Sequence, residues 1–293
     1  MSQRQHLLII DAQNDFCDLP ADWCPTDPLS GRRLAPALPV AGAHADMLRL
    51  AGFIREQGAG LDAITVTLDS HHRLDIAHPP FWRQADGSAV APFTAISGAD
   101  LDAGRYVTAD PLNAPRARAY VEALEAAGRY TLMVWPVHCQ IGSWGHGLHP
   151  AVLAACSDWE EAQGRVMACV HKGDNPWTEH YSALQAEVPD AHDAASGLNT
   201  ALLQRLAHAG SLLVAGEASS HCVRATVEHL VEHLPRVSPG WTPARLVLLS
   251  DAMSPVAGFE AQAEGFLQDM RQRGARVLAL DQVSALDGIC AVC

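Results

Sequence analysis

The polar residues with the greatest chemical reach stand at the ends of short apolar runs. Asp11 closes Ile9-Ile10 and opens Asp11-Ala12-Gln13-Asn14-Asp15-Phe16; Asp69 and His71 follow Thr67-Leu68. His138 follows Val134-Trp135-Pro136-Val137, Lys172 follows Val170-His171, and Cys222 ends Gly216-Glu217-Ala218-Ser219-Ser220-His221-Cys222. The thiol is the natural nucleophile of this set. At the first turn of a helix it faces unpaired backbone N–H groups and the positive end of the macrodipole, which favour thiolate. Lys172 adds a cation that lowers its pKa further, and Asp11 a carboxylate to take its proton. Singly, a Cys is most often a small buried apolar residue, a Lys a surface charge and a strand-end Asp a cap. Their recurrence at one kind of position favours chemistry, with Asp11, Lys172 and Cys222 as the catalytic residues.

Asp69, His71 and His138 form a second constellation. One carboxylate and two imidazoles suit Zn²⁺, Mn²⁺ or Fe²⁺, with positions left open for water or substrate. The D-x-H spacing puts both side chains on one side of an extended segment. By itself that spacing is weak, and His138 on a neighbouring run strengthens it. His72 and His78 are nearby candidates for a further ligand, in a chain with 15 His. Strand alternation turns Cys139 away from His138 and into the core. Trp144, His146 and His149 are either pocket or loop residues. Cys290 and Cys293 have C-x-x-C spacing but no second pair, and read as a chain-end tail. No G-x-G-x-x-G follows the first run, and neither G-x-x-x-x-G-K-[ST] nor G-x-S-x-G occurs. Dinucleotide, P-loop and serine-elbow chemistry are therefore not indicated.

The elements that must position these residues are seven short β-branched or Leu-rich runs, at 6–11, 63–68, 130–135, 165–171, 211–216, 245–251 and 275–280. Apolar on both faces and bounded by turn residues, they predict buried parallel strands. Between them, helical spacing links Met47, Leu50, Ala51 and Ile54 up to Gly58, and Tyr120, Val121, Leu124 and Ala127 up to Gly128. A third helix follows the cap Asn199 and stops at Gly210, a fourth runs from Cys222 to Pro235, and a fifth spans 259–273. Strands alternating with helices imply a three-layer α/β/α sandwich with a mainly parallel, six- or seven-stranded Rossmann-like sheet. Such a sheet carries its site at the carboxyl ends of its strands. Two Pro-rich stretches, 17–39 and 73–113, break the rhythm and read as ordered insertions in a single domain spanning 1–293.

Composition narrows the partners. The chain has 293 residues and a formal charge of −13, which argues against nucleic acid or an anionic membrane as a partner. Hydrophobic residues make up 48% and charged ones only 18%, enough to bury a core and unlike a disordered chain. No apolar run reaches the roughly 18 residues that span a bilayer, and the first residues lack a signal-peptide pattern. A cytoplasmic protein whose eight Cys are mostly reduced is expected.

Together these motifs resemble the isochorismatase-like cysteine hydrolases, and within them the metal-containing nicotinamidase (pyrazinamidase) branch. The likeness runs from Leu8 to about Asp251. It rests on D-x-Q-N-D-F (Asp11 to Phe16), D-x-H (Asp69 to His71), W-P-x-H-C (Trp135 to Cys139), K-G followed by Tyr181-Ser182, and G-x-A-x-x-x-C-V-x-A-T (Gly216 to Thr226). The resemblance implies a triad of Asp11, Lys172 and Cys222 and a divalent metal, zinc first, on Asp69, His71 and His138. It further implies a substrate pocket including Phe16, Trp135 and His221, and an oxyanion hole from the backbone N–H groups of Ala218 and Cys222, with a cis peptide before Ala218. The implied activity belongs to NAD metabolism: hydrolysis of nicotinamide, or a similar small carboxamide, to the acid and ammonia through a cysteine thioester. A homo-oligomer is expected. His221 stands where an aromatic such as Tyr is common, which alters hydrogen bonding in the pocket, and the two insertions make the chain longer than a compact member and bear on substrate choice. The alternatives are a cysteine hydrolase of another small amide or carbamoyl compound, a non-catalytic metal- or ligand-binding relative, and a metallohydrolase that works without the thiol.

Overall fold

The structure, a computed structural model, describes residues 4–283; Cys290 and Cys293, and the tail reading made for them, lie outside the described residues. In chain order the strands are β1 (Gln5–Ile10), β2 (Leu61–Asp69), β3 (Trp82–Gln84), β4 (Thr94–Ile96), β5 (Tyr106–Thr108), β6 (Leu132–Val134), β7 (Ala168–Lys172), β8 (Ser211–Gly216), β9 (Leu246–Leu249) and β10 (Arg276–Leu278). The helices are α1 (Ala43–Gln57), α2 (Gly98–Asp102), α3 (Ala114–Ala127), α4 (Pro150–Gln163), α5 (Thr200–Ala207), α6 (Cys222–Val237) and α7 (Glu260–Gln272).

Six strands form one parallel sheet in the order β10-β9-β8-β1-β2-β7. The central strands carry Leu7 to Ile10 and Leu212 to Ala215 almost without solvent contact, and each such aliphatic side chain contributes roughly 1.5–3 kcal/mol by leaving water. Helices cover the sheet, α1 packing beside α4 and α5 beside α6, so the expected α/β/α sandwich is present. Local signals explain the helix ends. Asn199 Oδ1 accepts from the Leu202 amide at 2.9 Å at the start of α5, and Gly128 ends α3 at φ +68°.

Two expectations are corrected, and a third element was missed. The run at 130–135 is not a strand of the main sheet: its β6 core pairs antiparallel with β4. The reason is the preceding insertion, whose own cluster of Ile76, Phe81, Trp82 and Ile96 buries Leu132 and Val134. Second, α6 does not stop at Pro235 but runs two residues past it, since a proline in the last turn removes a single ladder bond. Third, α4 was not anticipated, although Val152, Ala155, Cys156 and Trp159 are its buried stripe at helical spacing, with Pro150 at its start and Gly164 at its end.

The two irregular stretches both return to the sheet's carboxyl edge. Residues 17–39 are tied back by Ala37 and Leu38, whose amides donate to Asp15 Oδ1 and the Asp15 carbonyl, each at 3.0 Å. Within 73–113, β3 pairs with β5, and Trp82 Nε1 donates to the Ile76 carbonyl at 2.7 Å. Among the described residues no helix is long and apolar enough to cross a membrane.

Candidate active site

Asp11 directly follows β1, the neighbouring strands β2 and β7 end in Asp69 and Lys172, and β8 leads through residues 217–221 into Cys222 at the start of α6. The Lys172 ammonium is buried and gathers the others: its Nζ lies 2.9 Å from Asp11 Oδ2, 2.9 Å from Asp69 Oδ1, 3.0 Å from the His180 carbonyl and 3.7 Å from Cys222 Sγ. One buried cation thus faces two buried carboxylates, the compensation that charges need away from water. Burial works against the Lys172 charge, yet Asp11 and Asp69 hold its pKa well above the usual lysine range. Burial pushes Asp11 up, with Lys172 drawing it partly back. Asp69 also pays for burial, but His71 and Lys172 hold it well below the usual carboxylate range.

Opposing groups act on the Cys222 thiol. Burial pushes its thiol well above the ordinary cysteine value; Lys172 pulls it down, while Asp11 and Asp69 push it up. The lysine's charge is shared between two carboxylates, which limits its pull on the sulfur. The site is therefore a thiol beside a carboxylate whose own pKa is raised, an acid–base couple poised to pass one proton.

Asp69, His71 and His138 are all buried, and one donor atom from each falls within 4.8 Å of the others. His71 Nδ1 lies 3.1 Å from Asp75 Oδ2, and His138 Nδ1 lies 2.8 Å from the Pro136 carbonyl. These partners leave the Nε2 atoms facing Asp69 Oδ2 at 3.1 and 3.4 Å. Three lone-pair donors so converged, each histidine backed through its other nitrogen, fit a divalent cation. Burial opposes a charged His71, but Asp69 and Asp75 raise its pKa well above normal, the same pull that a cation would answer. Neither further candidate joins this cluster. His78 packs behind it, with Nδ1 3.0 Å from the His72 carbonyl and Nε2 3.3 Å from His138 Nδ1, while His72 is half-exposed, 3.1 Å from Asp174.

The pocket over Cys222 is narrow, about 20 Å³, and its walls include Phe16, Trp135, His138, Tyr181, His221 and Ala218. Phe16 and Trp135 stand where the sequence placed them, with Phe16 edge-on to His138 at 5.3 Å. The amides of Ala218 and Cys222 donate to no acceptor among the described residues, as an oxyanion hole requires. The peptide before Ala218 is trans, since no described bond is cis. The turn is made instead by Gly216 at φ +125° and Ala218 at φ +59°, which bring the His221 amide back to the Ala218 carbonyl at 2.8 Å. Gly216 is required there: a Cβ would meet the Ile10 carbonyl oxygen at 1.9 Å.

Sequence reasoning missed the residues that hold these groups. Thr67 Oγ1 donates to Asp11 Oδ1 at 2.5 Å. Gln13 clamps the backbone of Asp69 with two bonds, 2.8 Å to its carbonyl and 2.7 Å from its amide. Asp15 Oδ2 accepts from the Cys139 amide at 2.7 Å, fixing the turn beside His138. Glu179 and Leu38 also line the pocket; burial pushes Glu179 up to about 7, and its Oε2 has no partner among the described residues. The acidic and amide residues of D-x-Q-N-D-F were a usable signal for Gln13 and Asp15; nothing local marked Thr67, Leu38 or Glu179. Cys139 is buried as expected, though in a turn at φ +44° and not on a strand. His149 accepts from the Ala151 amide to cap α4, and His146 lies 2.9 Å from Ser70 Oγ; neither lines this pocket.

No protein-family model matches the chain, and no curated protein matches it at a significant level. Solved structures do match. A yeast nicotinamidase bound to the inhibitor nicotinaldehyde aligns with a TM-score of 0.59 at 18% identity, over 94% of this chain and 99% of that one. A pyrazinamidase of Pyrococcus horikoshii in complex with zinc aligns at 0.51 and 18%, over 94% and 99%. An isochorismatase-like hydrolase from Alkaliphilus metalliredigens aligns at 0.50 and 16%, over 97% and 98%. The chain has the isochorismatase-like hydrolase fold. At these identities the likeness speaks to architecture, and activity has to be argued from the site.

Proposed function

We propose that the protein is a cysteine amidohydrolase that cleaves nicotinamide, or a closely similar ring carboxamide, to the acid and ammonia. The observation that carries this reading is the single buried ammonium of Lys172 in reach of Asp11, Asp69 and Cys222. The similarity to a nicotinamidase that binds nicotinaldehyde and to a pyrazinamidase that binds zinc supports it.

Asp11 takes the thiol proton as Cys222 Sγ attacks the carboxamide carbon, and the amides of Ala218 and Cys222 receive the developing oxyanion. The C–N bond then breaks with the proton returned from Asp11 to the departing nitrogen, leaving a thioester. Asp11 next accepts a proton from an attacking water; the C–S bond breaks, and the thiol and the acid are released. Lys172 keeps Asp11 oriented and offsets negative charge on sulfur. Phe16 and Trp135 sandwich the planar ring and exclude water. Asp69, His71 and His138 would hold a divalent cation, zinc in the first instance, which would supply a Lewis-acid anchor for the substrate ring.

The test is ammonia release from nicotinamide and pyrazinamide, with metal analysis of the same preparation. Turnover lost in Cys222→Ala, and metal lost in His71→Ala or His138→Ala, are the expected results. Turnover that survives Cys222→Ala would instead indicate metal-assisted hydrolysis without the thiol. The same chemistry on a different small carboxamide is favoured by one observation, the intrusion of Leu38 from residues 17–39 into the pocket wall; a panel of amides and carbamoyl compounds separates the two.

A further inference from the structure

His221 occupies a wall of the pocket among aromatic rings. Phe259 lies edge-on at 4.6 Å, Trp135 edge-on at 5.2 Å and Tyr181 tilted at 5.3 Å between centroids. Two of the neighbouring polar tips satisfy each other, Trp135 Nε1 donating to the Tyr181 hydroxyl at 3.1 Å. Burial pushes His221 down to about 4, so the ring is neutral at neutral pH and carries one N–H.

Which nitrogen carries it follows from Ser220. That hydroxyl is buried, accepts from the Val256 amide at 3.1 Å and lies 2.9 Å from His221 Nδ1. Were His221 Nδ1 the donor, the Ser220 proton would need another acceptor, and the described residues offer none within hydrogen-bond distance. A buried hydroxyl left without an acceptor costs about 1–3 kcal/mol, so Ser220 donates to Nδ1 and the ring proton sits on Nε2. Among the described residues Nε2 has no partner of its own, and His221 faces the pocket.

We propose that His221 is a specificity-determining residue, fixed by Ser220 as an Nε2–H donor that favours ring carboxamides bearing a second hydrogen-bond acceptor. The proposal rests on the amide-hydrolase reading for its ligand class alone. Pyrazinamide has two ring nitrogens and nicotinamide one, so the donor rewards the diazine. A neutral donor with a matched acceptor is worth about 1 kcal/mol, close to fivefold in affinity.

Two measurements decide it, and neither needs turnover. Long-range ¹H–¹⁵N spectra of the histidine-labelled protein at pH 7, with His221 assigned by its loss in His221→Phe, are expected to show the Nε2–H tautomer, and Ser220→Ala to abolish that bias. An Nδ1–H pattern in the wild type overturns the proposal. In the Cys222→Ala background, adding His221→Phe keeps the ring packing and is expected to weaken pyrazinamide about fivefold relative to nicotinamide by calorimetry. Equal changes for the two amides, or binding of neither, also overturn it. Failure of the wild type to release ammonia from any amide would instead strike the hydrolase reading.

Discussion

The two edges of the central sheet make different use of charge. At the amino edge, a cleft of about 380 Å³ is lined by Arg4, Arg165, Arg205, His208 and Asp62, and its arginines and His208 are exposed to water. At the carboxyl edge the pocket is about 20 Å³, yet Asp11, Asp69, Lys172 and Cys222 are each at most 4% exposed. The larger space holds solvated charges that water already satisfies; the smaller one holds charges that must satisfy each other. Chemistry follows the second condition, because a desolvated, mutually compensated set can move a proton without reorganising solvent.

That contrast can be broken most sharply at Cys222. Its replacement by Ala should lower amide turnover on the order of 10⁴-fold or more, measured by ammonia release; a change under tenfold would place the chemistry elsewhere. Lys172→Met comes next, leaving Asp11 and Asp69 as uncompensated buried carboxylates. A loss of roughly 3–5 kcal/mol in urea denaturation is expected, far beyond any single charge at the amino edge. The third effect belongs to His6, buried beside that cleft, its pKa lowered to about 4 first by burial and then by Arg205. Because the folded state holds fewer protons than the unfolded one, its contribution is complete above about pH 6.5 and fades as pH falls towards 4. About 2 kcal/mol should disappear between pH 7 and pH 5, and His6→Gln should flatten that slope in denaturation curves taken at the two pH values. Smallest of all, Arg205→Ala should change stability by no more than about 0.5 kcal/mol and leave amide turnover as it was; a tenfold loss of activity would couple the two edges.

The same contrast governs what could be read without a structure. Asp11, Asp69, Lys172 and Cys222 were legible because parallel strands all point one way, so residues that close consecutive apolar runs meet at one edge. His138 was reached by a faulty route: its run is no member of the main sheet, and it arrives through a turn held by Asp15 and Pro136. Thr67, Gln13 and Glu179 escaped because each looks like an ordinary polar residue until its partner is known. For Thr67 and Gln13 that partner lies 56 positions away in the chain. The charge balance around Cys222 escaped for a related reason: a helix start and a lysine argue for thiolate, and only the folded arrangement shows that two carboxylates share that lysine.

By itself the sequence determined the periodicity, the turns and the residue types: buried parallel strands, helices closed by Gly128 or opened by Asn199, and a thiol, carboxylates, an ammonium and imidazoles at the ends of apolar runs. These depend on near neighbours along the chain, through backbone geometry and local hydrogen bonding. Tertiary structure alone decided that Lys172 bridges Asp11 to Asp69, that Asp75 and Pro136 aim the two histidines, that the turn at Ala218 is trans, and that Leu38 narrows the pocket. Distances and desolvation set those outcomes, and both depend on which distant segments the packed core brings together.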